Sequence, residues 1–346
     1  MSEDGKALIW LAMLALASAA AISFGLLLWL RPLLTRYTLA KPTTRSSHKV
    51  PTPQGGGIAI VVATVLVVGV VSITVPGMAN NPVELATVLA SAVLLAIVGV
   101  VDDLRPLEPA PRLLLQVIVV AAVLWALPTE LRVFPAIPRW LEQLMLFATA
   151  VWFVNLVNFM DGIDWMTVAE IVPITAALAL FGFADMLPSY ATLLAAALCG
   201  GVVGFAPFNR PVARLFLGDV GSLPIGLLLV WLLIVLAGNG HLVAALLLPL
   251  YYVTDTTITL LVRFVHGEQL TQAHRSHFYQ RATNNGLCVT RIIGRVFITN
   301  IFLVVLAALS LIIQPLPAQI FLIVAGSAAV GLLLWSFGQR PGGYGP

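Results

Sequence analysis

The sequence predicts an all-α fold, a polytopic integral membrane bundle of about eleven transmembrane helices, from three observations. Hydrophobic residues make up 60% of the chain and charged residues only 10%, with a mean hydropathy of +1.01. Apolar runs approaching the roughly 20 residues that cross a hydrocarbon core recur along the whole chain. Lysine and arginine gather in alternate connections between those runs, as they do when loops alternate between two sides of a membrane. A soluble fold is excluded on composition.

The first run, Leu8 to Leu30, passes an Ala-Ser-Ala stretch at Ala17 to Ala19 but continues well beyond it, so an uncleaved span is expected. The others are Ile58 to Val75, Leu85 to Val101, Leu113 to Leu127, Leu141 to Val157, Met166 to Phe183, Tyr190 to Phe205, Leu223 to Leu236, Leu242 to Val262, Val296 to Ile313 and Ile320 to Phe337. The fourth and eighth are short and either borrow flanking residues or are thin at the site. Fifteen of the 18 Lys and Arg fall in the odd-numbered connections and the C-terminal tail, which assigns that side to the cytoplasm. The net charge of +3 is therefore mostly topology, and no nucleic-acid partner is expected. Cys199 lies in a span and Cys288 in a connection, so no disulfide framework is expected. The chain reads as one membrane domain over 1–346, its site formed by connections 31–57, 102–112, 158–165, 206–222 and 264–295.

Five aspartates, Asp102, Asp103, Asp161, Asp164 and Asp219, stand at or just beyond the ends of apolar runs, all on the odd side. A carboxylate at mid-membrane costs about 2.5–3.5 kcal/mol, so these belong at the interface, on a metal, or both. Asp102 and Asp103 end the third span as neighbours. Adjacent helical residues point about 100° apart, so the two take different roles. Asn155 and Asn158, like Asp161 and Asp164, are spaced i, i+3 and share a face where that segment is helical. Asp219 lies between glycines, near Arg210 and Arg214, which suit a phosphate; a plain turn is the alternative reading. Asp255 sits inside the ninth span and reads as a hydrogen-bond partner of nearby threonines or Arg263 rather than as a functional acid.

Two further connections are basic. The first carries Arg45, His48, Lys49 and the run Pro51-Thr-Pro-Gln-Gly55-Gly56-Gly57. Three glycines entering a helix suit close backbone approach to a phosphate, or simply a flexible basic loop. The last holds His274-Arg275-Ser276-His277-Phe278-Tyr279-Gln280-Arg281, whose histidines beside arginines suit phosphate binding or, equally, a surface amphipathic helix.

In this order, the Pro51 to Gly57 loop, Asp102-Asp103, Asn158 to Asp164, Gly218-Asp219-Val-Gly-Ser222 and the histidine loop resemble the polyprenyl-phosphate N-acetylhexosamine-1-phosphate transferase family over nearly the whole chain. The span count and the His274 to Arg281 sequence are most similar to its WbpL-like, O-antigen-initiating branch. They differ from the peptidoglycan branch, with its run of histidines. Trp165 stands where the family often has glycine.

The resemblance implies transfer of a sugar-1-phosphate from a UDP-N-acetylated sugar, tilted toward a deoxy sugar, to undecaprenyl phosphate with release of UMP. It places Asp102, Asp103 and Asp219 in catalysis, the first two facing the acceptor. Asp219 would be on Mg2+ (or Mn2+), with Asp161 and Asp164 near metal or donor. Asn155 and Asn158 would contact the nucleotide sugar, and His274, His277, Arg210, Arg275 and Arg281 its phosphates. Lys49 would meet the lipid head group. It also implies a multi-pass protein of the bacterial inner membrane among membrane lipids, with a homodimer left open. A secondary transporter is the alternative class, expected to show repeats and mid-membrane sites at broken helices; an inactive scaffold is a third.

Overall fold

The computed structural model describes residues 3–40, 51–105, 107–269 and 274–339. Each expected apolar run forms a helix, because in hydrocarbon every backbone N–H and C=O must be satisfied within its own segment. They are α1 (Glu3–Tyr37), α2 (Gly57–Thr74), α3 (Pro82–Leu104), α4 (Pro109–Ala126), α5 (Arg139–Met160), α6 (Met166–Gly182), α7 (Ser189–Phe205), α8 (Asp219–Gly238), α9 (Leu242–Leu247), α10 (Leu250–Val265), α11 (Phe278–Asn284), α12 (Val289–Ile312) and α13 (Leu316–Gly338). Eight of these are long and apolar enough to cross a membrane, and α6 and α7 are apolar helices of 17 residues each. The two short runs do borrow flanking residues, extending to Pro109 in α4 and to Asp219 in α8. A two-residue antiparallel ladder, Leu39–Ala40 with Thr52–Pro53, is the sole β pairing among the described residues.

The ninth run departs from the single span expected. Pro249 lacks an N–H and clashes with the preceding turn, and the run divides into α9 and α10. This leaves the first N–H groups of α10 without helical partners inside the bundle. Nearby, the fully buried Glu170 of α6 accepts a hydrogen bond from Asn300 of α12 at 2.6 Å, tying these two helices.

α8 is the axis of the bundle, with its whole apolar window buried. It packs against α2, α3, α5 and α9, while α7 packs against α1, α2 and α6. Glycine permits the closest of these approaches. A Cβ on Gly57 would lie 2.1 Å from the Cα of Gly221, so α2 and α8 cross almost backbone to backbone. Outward faces carry large apolar side chains such as Ile73, Trp125, Ile298 and Phe321, as expected where lipid is the solvent.

Opposite to the aspartates, the bundle is tied by two other acids. Glu84, fully buried in the first turn of α3, accepts hydrogen bonds from Tyr190 Oη (2.7 Å), Trp231 Nε1 (3.0 Å) and Asn81 Nδ2 (3.1 Å). Glu142 of α5 accepts the backbone N–H groups of Val133 and Phe134 and pairs with Arg132.

Candidate active site

The aspartates converge where α3, α4, α5 and α8 meet. Gly218 turns the chain into α8 with φ +77, a conformation that favours glycine, and a Cβ there would meet Asp103 Oδ2 at 2.3 Å. Asp103 in turn accepts the N–H groups of Asp219 (3.0 Å) and Val220 (3.3 Å), capping α8 from the neighbouring helix. Asp102 faces elsewhere: it accepts the Leu107 N–H (2.7 Å) and pairs with Arg112 (3.1 Å). The two neighbours thus have different partners, as adjacent positions on a helix do.

Asp219 is bracketed. Its Oδ2 pairs with the same Nη1 of Arg112 at 3.0 Å, and its Oδ1 accepts a hydrogen bond from Asn158 Nδ2 at 2.8 Å. Asn158 reaches Ser222 Oγ at 2.8 Å as well, fixing α5 to the first turn of α8. One turn deeper, Asn155 donates to Gln116 Oε1 (2.7 Å) and to the Val151 carbonyl.

Beyond Asp219, the loop after α5 carries Asp161 and Asp164. Burial pushes the Asp161 carboxyl up to about 6, with a Thr167 hydrogen bond at 2.5 Å opposing and the negative charges of Asp219 and Asp164 adding to it. Asp164 is buried and accepts the Ala213 N–H at 2.9 Å, fastening the 206–218 loop. Trp165 follows with φ +61, left-handed, which explains why glycine suits this position in the family. Here Asn209 Oδ1 accepts the Trp165 N–H, and the indole N–H donates to the Ala206 carbonyl, each at 2.7 Å.

The last connection folds over this corner as α11. Asp255, fully buried in α10, accepts the backbone N–H groups of Phe278 (3.1 Å) and Tyr279 (3.4 Å), lies 3.2 Å from His277 Nδ1, and is bonded by Thr259 (3.3 Å). The threonine part of the expectation holds. The Arg263 part is corrected, since Arg263 pairs with Glu268 instead. His274 stacks on His277 with centroids 4.9 Å apart. Burial, then the positive charges of His277 and Arg263, pull the His274 imidazole down to about 4. Gly162 leaves space for the Tyr279 hydroxyl, which donates to the Phe159 carbonyl and docks α11 on the Asp161 loop.

Between these walls lies a cavity of about 640 Å³, within the usual range for ligand sites. Arg112, Asn155, Asn158, His274, His277 and Gln280 line its polar side; Leu113, Val151, Trp152 and Leu260 line the apolar side. Arg210 is exposed on the 206–218 loop and Arg281 stacks over Phe278 at 5.2 Å, so neither lines it; nor does Arg275. Lys49 lies outside the described residues. Two of the three glycine amides are engaged within the protein. Gly56 and Gly57 donate to the carbonyls of Phe216 and Leu217, so these glycines serve helix packing rather than a phosphate cradle. Among the described residues no three His, Cys, Asp or Glu side chains form a ready metal-ligand set.

Sequence reasoning missed Arg112, counted only as a topological charge, and the capping role of Asp255. The i, i+10 spacing of Asp102 and Arg112 across a short connection is the signal that could have found the first. Nothing local announces the second, because its partners are 22–24 residues away.

Fold and site together define a polytopic membrane protein with a one-sided acidic and basic pocket that opens onto apolar walls. Residues 85–237, which hold all five aspartates, Arg112 and both asparagines, match the model of glycosyl transferase family 4. Over that segment the chain is similar to members of this family. It is 27% identical to a decaprenyl-phosphate N-acetylglucosaminephosphotransferase of Mycolicibacterium smegmatis, over 61% of this chain and 57% of that one. It is 28% identical to phospho-N-acetylmuramoyl-pentapeptide-transferases of Leuconostoc citreum (51% and 60%) and Streptococcus pneumoniae (62% and 67%). The chain thus spans little more than half the length of the first of these relatives, and the two donor types are matched at nearly equal identity.

Proposed function

We propose that the protein transfers a sugar-1-phosphate from a UDP-N-acetylated sugar to undecaprenyl phosphate. A phosphate oxygen of the lipid attacks the sugar-bearing phosphorus of the donor, a new P–O bond forms, the diphosphate bridge breaks, and UMP leaves with the bridging oxygen. The observation that carries this reading is the cavity itself. It joins the polar and cationic side chains Arg112, Asn155, Asn158, His274 and His277 to apolar walls, as a site for an anionic nucleotide donor beside a lipid acceptor requires.

In-line transfer between two anions depends mainly on positioning and neutralisation. Asn158 orients Asp219 and borders the donor; Asn155, His274 and His277 line the space for nucleotide and diphosphate. Asp103 holds the start of α8 and thereby the angle of Asp219. The spot between Asp102 and Asp219 already attracts a cation, and hard carboxylate oxygens in ones and twos suit Mg2+, which keeps most of its waters. When bound, Mg2+ would be held by Asp219 with Asp102 beside it and Asp161 next, and would supply charge neutralisation on the donor diphosphate. Asp164 supports this set through the loop it fastens.

The excess of Lys and Arg in the odd connections supports a cytoplasmic mouth in a bacterial inner membrane. The His274 to Arg281 loop supports an O-antigen-type pathway and a deoxy-N-acetylhexosamine donor over a muramoyl-pentapeptide. The test is UMP release and lipid-linked product from purified protein with undecaprenyl phosphate, Mg2+ and a panel of UDP-N-acetylated sugars, UDP-muramoyl-pentapeptide among them. Metal-dependent product with one donor, lost in Asp219→Asn, is expected. Folded protein giving no product with any of them would sink the reading.

A further inference from the structure

Arg112 is in an unexpected place for a cation. It occupies the first turn of α4, which begins at Pro109, where the helix dipole disfavours positive charge. Two carboxylates from different helices hold it there, and both are reached by the one nitrogen, Nη1, at 3.1 Å from Asp102 Oδ2 and 3.0 Å from Asp219 Oδ2. That nitrogen marks the point shared by the two acids. The other oxygen of Asp219 is taken by Asn158, so Oδ2 is the one open to a cation. A divalent ion bound to it would sit within a few ångströms of the guanidinium, and at that distance like charges in a half-buried site repel strongly.

The displaced side chain has somewhere to go. Arg112 also lines the 640 Å³ cavity with His274 and His277, and among the described residues lining that cavity it is the one permanently charged cation. The planar guanidinium fork matches two phosphate oxygens at once.

We propose that Arg112 occupies the cation position of the metal-free site and that metal binding releases it from Asp219 to pair with the diphosphate of the nucleotide donor in the same cavity. This rests on the transferase reading above. Metal and donor then favour each other through one side chain: the metal frees Arg112 for the donor, and the donor draws Arg112 away from the metal's oxygen. By linkage the coupling is equal in both directions.

The experiment measures Mn2+ affinity by electron paramagnetic resonance without nucleotide, and UDP affinity by calorimetry at saturating Mn2+, for wild type and Arg112→Met. The expected result is a crossed pattern, with Mn2+ bound about tenfold more tightly by the variant and UDP about tenfold more weakly. A residue that merely braces the fold would weaken both when removed, and that outcome overturns the inference, as does an unchanged Mn2+ affinity. Arg112→Gln, which keeps a hydrogen-bonding amide without the charge, makes the same comparison where Arg112→Met is not recovered folded. A folded wild type that binds neither Mn2+ nor UDP overturns the transferase reading and this inference together. Wild-type binding of both without the crossed pattern overturns the inference alone.

Discussion

The two ends of α3 carry acids with opposite fates. Glu84, in its first turn, is fully buried and receives three side-chain hydrogen bonds, from α7, α8 and its own N-cap. Asp102, about 27 Å along the same helix, shares one arginine nitrogen with Asp219, and both side chains stay partly exposed. Neutral donors on rigid elements satisfy Glu84 in a single arrangement. A single mobile cation bridges Asp102 and Asp219, an arrangement that another cation can replace. Burial of an acid is thus no guide to function in this molecule; the replaceability of its partner is.

The sharpest way to break that contrast is a pair of substitutions. Asp219→Asn keeps shape and hydrogen-bonding capacity but removes the charge, and turnover is expected to fall at least about 10²- to 10³-fold while the melting temperature in detergent barely moves. Glu84→Ala is expected to do the reverse. It strands Tyr190, Trp231 and Asn81, and at about 1–3 kcal/mol for each buried unpaired group the loss is about 3 kcal/mol or more. Protein that still folds should retain its turnover number. If Glu84→Ala silenced folded protein, or Asp219→Asn unfolded it, the division between the two ends would fail.

Asp255 lies between these extremes and sharpens the comparison. It is as buried as Glu84, yet its partners include His277, which lines the cavity. Asp255→Asn preserves packing but can no longer accept from the α11 amides and the imidazole with full charge. As with other groups that orient a binding side chain, a loss of about 10- to 100-fold is expected, falling on KM for the UDP-sugar more than on kcat. An equal loss in lipid-substrate KM would instead assign α11 to the acceptor.

These contrasts also mark what was legible in the sequence. Composition and alternating charge revealed the eleven runs, because hydrocarbon leaves the backbone no other choice than helix. The aspartate motifs were legible for the same reason: acids at the ends of apolar runs are conspicuous. Pairings across distance were not. Arg112 looked like any positive-inside charge until α3 and α4 brought it between Asp102 and Asp219. Glu170 and Asn300 were silent because their hydrogen bond exists only once α6 and α12 pack together. The glycines of 55–57 were read toward phosphate, whereas helix crossing uses them for contact and engages two of their amides.

The smallest expected effect concerns His274, which lines the cavity. Its imidazole is pulled down to about 4, chiefly by burial and then by the positive charges of His277 and Arg263. In the unfolded chain it would take up a proton near its ordinary value of about 6.5. Between those values the unfolded state binds more protons than the folded one, so stability from this residue is complete above about 6.5 and is lost as the pH falls toward 4. Solvent around the half-buried ring reduces the effect to about 1 kcal/mol. His274→Gln should therefore flatten the fall in melting temperature between pH 6.5 and 4.5 relative to wild type. A bound diphosphate works in the opposite direction, since an anion beside the ring favours its protonated form. UDP should consequently bind wild type more tightly as the pH is lowered from about 6.5 toward 4, and His274→Gln should lose that dependence. A pH dependence that survived in the variant would take the proton away from His274 and leave this residue a neutral wall of the cavity.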